Sequence, residues 1–205
     1  TVPGRMVQRN VERLEVVVLV LDLRTVLGHT REKALLTVRR ARRAFGIAKH
    51  DHLSLAVEKL AQALDEIKAD ASIRSATELL SQYTSPVSPG ISVIGFSLGA
   101  YFALNLSNTL PELIRSVVVF YGTGPIDFSQ SREDYLGHFA EDDAFEPQSE
   151  VDRLESVLQQ AGRPVTFHQY SGTGHWFFES DRPQAYQPEA ADLAWQRTLE
   201  FLKSA

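Results

Sequence analysis

Gly95-Phe96-Ser97-Leu98-Gly99 lies directly after the apolar run Ile91–Ile94 and directly before Ala100-Tyr101-Phe102-Ala103-Leu104, which has the residue types of a buried helix. A strand that turns at once into a helix brings its own backbone close together, so the residues two before and two after the turn centre must be small. Gly95 and Gly99 meet that demand. The same turn lifts the side chain at its centre, Ser97, clear of the strand and aims the N-terminus of the following helix at it. A serine oxygen so placed is a candidate nucleophile, and the Leu98 N–H is a candidate donor to the oxyanion its attack would form. By composition alone this G-x-S-x-G spacing arises in about one chain in fifteen of this length. The strand before it and the helix after it give the spacing its meaning.

Three further runs read as core strands: Val16–Leu21, Val117–Tyr121 and Val165–Tyr170. The first two, like Ile91–Ile94, are nearly continuously apolar, as strands covered on both faces are. Helical patterns lie between them, at Glu32–Phe45, Leu53–Ile67 and Ile73–Tyr83, then at Ala100–Thr109, Val151–Ala161 and Ala190–Leu202. Leu53, Ala56, Val57, Leu60, Ala63, Leu64 and Ile67 recur on one helical face, and the breakers Ser85, Pro86, Ser88, Pro89 and Gly90 lead into the Ile91 strand. A short helix with Met6, Val7, Val11 and Leu14 on one face precedes the first strand. The alternation predicts an α/β fold of three layers, a mostly parallel sheet of four strands with helices on both faces. The 205 residues fit one domain, 1–205, without internal repeats.

Hydrophobic residues make up 43% and charged residues 23%, the balance of a globular chain. A net charge of -5 argues against nucleic acid as partner, since phosphates call for a basic face. The cluster Arg39, Arg40, Arg42 and Arg43 reads as the solvated face of a helix. The chain has no cysteine, which excludes disulfides, thiolate metal sites and a cysteine nucleophile. Val16–Leu21 is too short to cross a bilayer, so no membrane partner is expected. No secretory pattern precedes it, and a cytoplasmic location is the default expectation.

A serine hydroxyl needs a base, and in a fold of this kind the chain order is serine, acid, histidine. His29, His50 and His52 precede Ser97; His168 falls inside a strand; His138 leaves little room for an acid loop before it. His175 remains, in Ser171-Gly172-Thr173-Gly174-His175 just beyond the Val165 strand, where loops present catalytic groups. The acid belongs between the Val117 and Val165 strands, where Asp127, Asp134, Glu141, Asp142, Asp143 and Asp152 are candidates. Glu141-Asp142-Asp143 sits between Phe139 and Phe145, which could bury one carboxylate, but spacing does not choose between the two aspartates.

The run Leu136 to Pro147, with Gly172 to Phe178, Arg182-Pro183 to Tyr186, and Ala190 to Phe201, resembles the dienelactone hydrolase family of the α/β-hydrolases, a likeness strongest from Ile91 onward. The resemblance implies Asp143 as the acid and His175 as the base. The namesake enzymes carry cysteine in the elbow, whereas Ser97 is similar to the family's serine esterases, which moves the expected substrate away from dienelactone itself. It also implies earlier strands and an oxyanion loop upstream of where this sequence starts. The early strands, and half of the oxyanion hole with them, are therefore expected to be missing, with Thr1–Gly4 a substitute donor at best.

The reading is thus a serine hydrolase of a carboxylic ester or lactone, with a small-molecule substrate, an acyl-enzyme intermediate and no cofactor. The alternative is a noncatalytic hydrolase-like domain that binds a partner. His50-Asp51-His52 reads as a polar helix start, since histidines two apart do not share a helix face, and no metal is expected. Trp176, Phe177 and Phe178 either line an acyl pocket or belong to the core. The oligomeric state is open.

Overall fold

The computed structural model describes residues 68–82, 84 and 90–205, and the backbone of residues 17–21. The helices expected before residue 68, the Arg39–Arg43 cluster, His29, His50-Asp51-His52 and Thr1–Gly4 lie outside the described residues. The chain divides into two compact units, 1–21 with 77–205, and 22–76. Residues 68–81 are helical, with Arg74 Nε donating to Asp70 Oδ2 one turn earlier at 2.9 Å.

The first unit holds a sheet of five strands, β1 (Val17–Leu21), β2 (Ile91–Phe96), β3 (Ile114–Phe120), β4 (Asp134–Ala140) and β5 (Val165–Tyr170). They lie side by side in chain order, and every pairing is parallel. Helices α1 (Leu98–Thr109), α2 (Gln148–Gln160) and α3 (Pro188–Ser204) follow β2, β4 and β5.

Because side chains alternate along a strand, the register divides the sheet residues between two faces. On one face Ile94, Val118, Phe120, Leu136, Ala140 and Tyr170 form one buried cluster with Ala194 and Leu202 of α3. On the other, Val93, Val117, Val119, Tyr135 and Phe139 are buried, and Tyr135 donates its hydroxyl proton to Ser107 Oγ of α1 at 2.7 Å. Helices therefore cover both faces of the sheet, as the three-layer reading requires.

Several polar side chains inside these layers are paired. Ser92 and Ser116 join β2 to β3 at 2.8 Å. His138 lies between the Tyr170 hydroxyl at 2.8 Å and Thr198 Oγ1 at 3.0 Å. Thr198 gives its own proton to the Ala194 carbonyl, so His138 donates from Nε2 and accepts from Tyr170 at Nδ1. Burial, helped by nearby His168 and Arg197, pushes the His138 pKa down to about 3 and keeps the ring neutral.

The sheet corrects the four-strand count. β4 carries Asp134, Gly137 and His138, and so lacks the apolar run by which the other strands are recognised. Gly137 is required there by packing, since a Cβ would come within 2.5 Å of the Phe139 and Phe167 rings.

Candidate active site

The elbow is built from close approach. Ser97 has φ 51° and ψ -119°, a conformation that residues with side chains seldom adopt. Its amide donates to the Phe120 carbonyl at 2.9 Å, tying the turn to the end of β3. A Cβ at Gly95 would collide with the Gly99 carbonyl, and one at Gly122, just past β3, would collide with the Ser97 carbonyl. Leu98 is the first residue of α1, so its N–H has no carbonyl one turn back to bond within the helix.

Two loops at the same end of the sheet meet this serine. The segment after β4 and the segment after β5 are laced together: the Asp142 amide donates to the Thr173 carbonyl at 2.9 Å, and the Gly172 amide to Glu141 Oε2 at 2.8 Å. Their pairing brings His175 Nε2 to 2.9 Å from Ser97 Oγ, and His175 Nδ1 to 2.8 and 3.0 Å from the Asp143 carboxylate oxygens. The side chains of His175 and Asp143 are only 5% and 3% exposed. Asp143 Oδ1 also accepts from the amides of Phe145 at 2.8 Å and Glu146 at 3.0 Å. Burial alone would raise this carboxyl, but the hydrogen bonds from His175 and the two amides outweigh it. They hold the group below the ordinary carboxylate range, so it is ionised at neutral pH.

The other carboxylates considered from the sequence fall elsewhere. Asp127 caps a turn through Ser129, Asp134 opens β4, Asp152 pairs with Gln148 on α2, and the Asp142 residue is exposed. His168 lies in β5 beside His138.

Sequence reasoning named Trp176 and Phe145 near the histidine and the acid, but not the other supports around the imidazole. Tyr121, Trp176 and Phe145 place ring centroids 4.9, 4.8 and 5.0 Å from that of His175. The buried Tyr121 hydroxyl donates to Glu179 Oε1 at 3.1 Å. Glu179 pairs with Arg182 at 2.7 Å, whose guanidinium lies over the Trp176 ring at 4.2 Å. The Glu146 carboxylate accepts from the amide and hydroxyl of Thr123, joining the acid loop to the segment after β3. No local pattern announces the contacts of Tyr121, Phe145 and Thr123, since each joins segments far apart in the chain. Of the three consecutive aromatics, Phe177 is fully buried in the core, Phe178 packs on Phe96 and Phe120, and Trp176 turns to His175.

No group of three or more His, Cys, Asp or Glu side chains among the described residues is arranged to hold a metal ion. No helix among them is long and apolar enough to cross a membrane.

Comparison with known proteins bears on the fold and the family. Protein usf of Aquifex pyrophilus is 30% identical over 141 residues, covering 66% of this chain and 60% of its own length. The "Probable 2-oxo-3-(5-oxofuran-2-ylidene)propanoate lactonase" of a Bradyrhizobium species is 27% identical over 170 residues, covering 77% of this chain and 66% of its own length. The chain thus spans 60% to 66% of the length of these two curated relatives. A crystal structure from Klebsiella pneumoniae, named "Putative Dienelactone Hydrolase", superposes with a TM-score of 0.65 at 19% identity, covering 94% of this chain and 88% of that one. At that identity the likeness speaks for the α/β-hydrolase fold. The sequence model described as "Dienelactone hydrolase family" matches residues 42–205, a span that takes in the elbow, both laced loops and α3, and the chain belongs to that family.

Proposed function

We propose that this chain hydrolyses a carboxylic ester or lactone through an acyl-enzyme, with Ser97 as nucleophile, His175 as base and Asp143 as the acid that orients it. The observation that carries the reading is the unbroken hydrogen-bond chain from Ser97 Oγ through both nitrogens of His175 to Asp143. An ionised Asp143 accepts the Nδ1 proton and leaves the Nε2 lone pair facing the serine hydroxyl. This is the tautomer that general-base catalysis needs.

In the first half-reaction Ser97 Oγ bonds to the substrate carbonyl carbon as its proton passes to Nε2, and the carbonyl electron pair moves onto oxygen. The Leu98 N–H is a donor for that oxyanion. A single donor of this kind is typically worth about 100- to 1,000-fold in turnover. The intermediate collapses, the bond to the leaving oxygen breaks, and that oxygen takes the proton from Nε2. Water then gives a proton to Nε2 and attacks the acyl carbon, and Ser97 Oγ leaves with the proton returned. In a lactone the freed alcohol stays attached to the acyl group. The family and the lactonase among the relatives support this substrate class.

The test is labelling with a fluorophosphonate probe alongside ester turnover. The wild-type chain should be labelled on Ser97, and Ser97→Ala should lose label and turnover while its melting temperature stays within about 2 °C of wild type, as surface-accessible substitutions usually do. Wild-type turnover in Ser97→Ala would reject the scheme. Absence of label in the wild type would favour the noncatalytic alternative.

A further inference from the structure

Only four large apolar side chains among the described residues are exposed: Leu79, Leu98, Phe145 and Leu193. Two of the four adjoin the site. Leu98 follows Ser97 in the chain, and the Phe145 ring packs against His175 at 5.0 Å. Phe145 is also the most exposed of the four, at 64%. Exposed phenylalanine forgoes the stabilisation that burial would bring, and apolar surface beside convergent polar groups is the usual make-up of a ligand site. The rings around the imidazole are unequal in this respect. Tyr121 is fully buried and Trp176 is half-buried, with the Arg182 guanidinium lying over its ring. Phe145, packed against Trp176 as well as His175, is the one that offers open aromatic surface.

We infer that Phe145 is the wall against which the leaving alcohol of the substrate rests, and that this alcohol portion is apolar and flat, of the benzyl type. The inference builds on the proposed relay. The leaving oxygen collects its proton from His175 Nε2, so it must come within about 3 Å of that atom. Whatever is attached to that oxygen therefore lies alongside the imidazole, within reach of the ring that borders it. Aromatic groups pair favourably at centroid separations of about 4.5–7 Å, a range that a ring set against Phe145 can satisfy. The charged groups tied to this wall are engaged elsewhere: Glu146 with Thr123, and Glu179 with Arg182. An ionic leaving group would compete with those pairs, whereas an apolar one leaves them intact.

Benzyl acetate and methyl acetate form the same acetyl-enzyme and release alcohols of similar acidity, so the ratio of their kcat/KM values isolates the leaving-group contact. Wild type should favour the benzyl ester, and Phe145→Ala should cut the benzyl-to-methyl ratio by about fivefold to tenfold, the size of one aromatic pair. Phe145→Leu should fall between. The ratio for methyl hexanoate against methyl acetate, which varies only the acyl side, should not follow. A second measurement does not require turnover: benzyl alcohol should slow fluorophosphonate labelling of wild type more than that of Phe145→Ala. An unchanged benzyl-to-methyl ratio, or equal protection of both proteins by benzyl alcohol, overturns the inference. Ser97 labelling to completion in Phe145→Ala keeps that outcome distinct from failure of the relay, which would show as an unlabelled wild type.

Discussion

Replacing Asp143 by asparagine changes one atom, and the surrounding hydrogen bonds decide which way the new amide must point. Oδ1 accepts from two backbone amides, those of Phe145 at 2.8 Å and Glu146 at 3.0 Å. Only the carbonyl oxygen of asparagine can take that place, so the NH2 group falls where Oδ2 was, 2.8 Å from His175 Nδ1. The flipped alternative would set the NH2 against two N–H donors and forfeit both bonds, at about 1–3 kcal/mol for each group left unsatisfied. The NH2 therefore donates to Nδ1, and the imidazole carries its proton on Nε2, 2.9 Å from Ser97 Oγ. A nitrogen that already holds a proton cannot accept the one the serine must lose. The wrong tautomer costs about 10,000-fold in kcat where it has been imposed on a serine triad, or about 5.4 kcal/mol at 1.36 kcal/mol per decade. The assay is ester kcat at neutral pH with the rate of fluorophosphonate labelling, run beside Asp142→Asn. The Asp142 residue is exposed and its backbone amide bonds the Thr173 carbonyl of the histidine loop, so that variant should stay within about threefold of wild type. Asp143→Asn within tenfold of wild type, or Asp142→Asn falling as far, would refute the reasoning.

Two further outcomes follow from the layers that carry the site. The His138 pKa is lowered in the folded chain to about 3, so the unfolded chain binds the proton more strongly. The stability this neutral ring contributes is complete above the ordinary histidine value and is lost as pH falls toward 3, at up to about 1.4 kcal/mol per pH unit for one proton. Urea midpoints at pH 7, 5.5 and 4.5 should therefore fall less steeply for His138→Gln than for wild type, and parallel slopes would count against it. Gly95→Ala places a Cβ against the backbone of Gly99 and Ala100, which cannot swing aside as a side chain can. Overpacking of this kind costs about 3 kcal/mol, or about 6–12 °C in melting temperature for a chain of this size. Fluorophosphonate labelling should slow with it, and a variant that melts and labels like wild type would contradict the close approach.

The elbow was legible in the sequence because its constraint is local: Gly95, Ser97 and Gly99 act on one another across a single turn. The histidine could be reached by chain order and by its loop. The acid could not be separated from its neighbour by spacing, because Asp142 and Asp143 lie on one loop, and the difference between them is made by which of the two the surrounding donors reach. The amides of Phe145 and Glu146 and the ring of His175 gather on Asp143, while Asp142 remains exposed. β4 escaped notice for a related reason. Three of its residues are explained by partners distant in the chain: Tyr135 by Ser107, His138 by Thr198 and Gly137 by Phe167. Periodicity reads neighbours along the chain and has no access to such pairings.

The positive backbone angles show which positions were held for the backbone and which for the side chain. Gly162 and Gly172 turn the chain at φ 71° and 68°, and a Cβ at either would meet nothing within 4 Å, so glycine serves only the angle there. Three residues with side chains adopt positive φ among the described residues, Ser97, Tyr121 and Trp176, and all three belong to the site. Each such conformation costs about 1–3 kcal/mol and persists only where the surroundings over-determine it. Those surroundings are present. The Ser97 amide is held by the Phe120 carbonyl, the Tyr121 amide by the His138 carbonyl, and the Trp176 carbonyl by the Glu179 amide, while Arg182 lies over the indole. Glycine would relieve the strain at all three, but it would also delete the hydroxyl that faces His175 or a ring packed against that imidazole. At these positions the side chain outranks backbone comfort, and that preference marks the same candidate site independently of its motif.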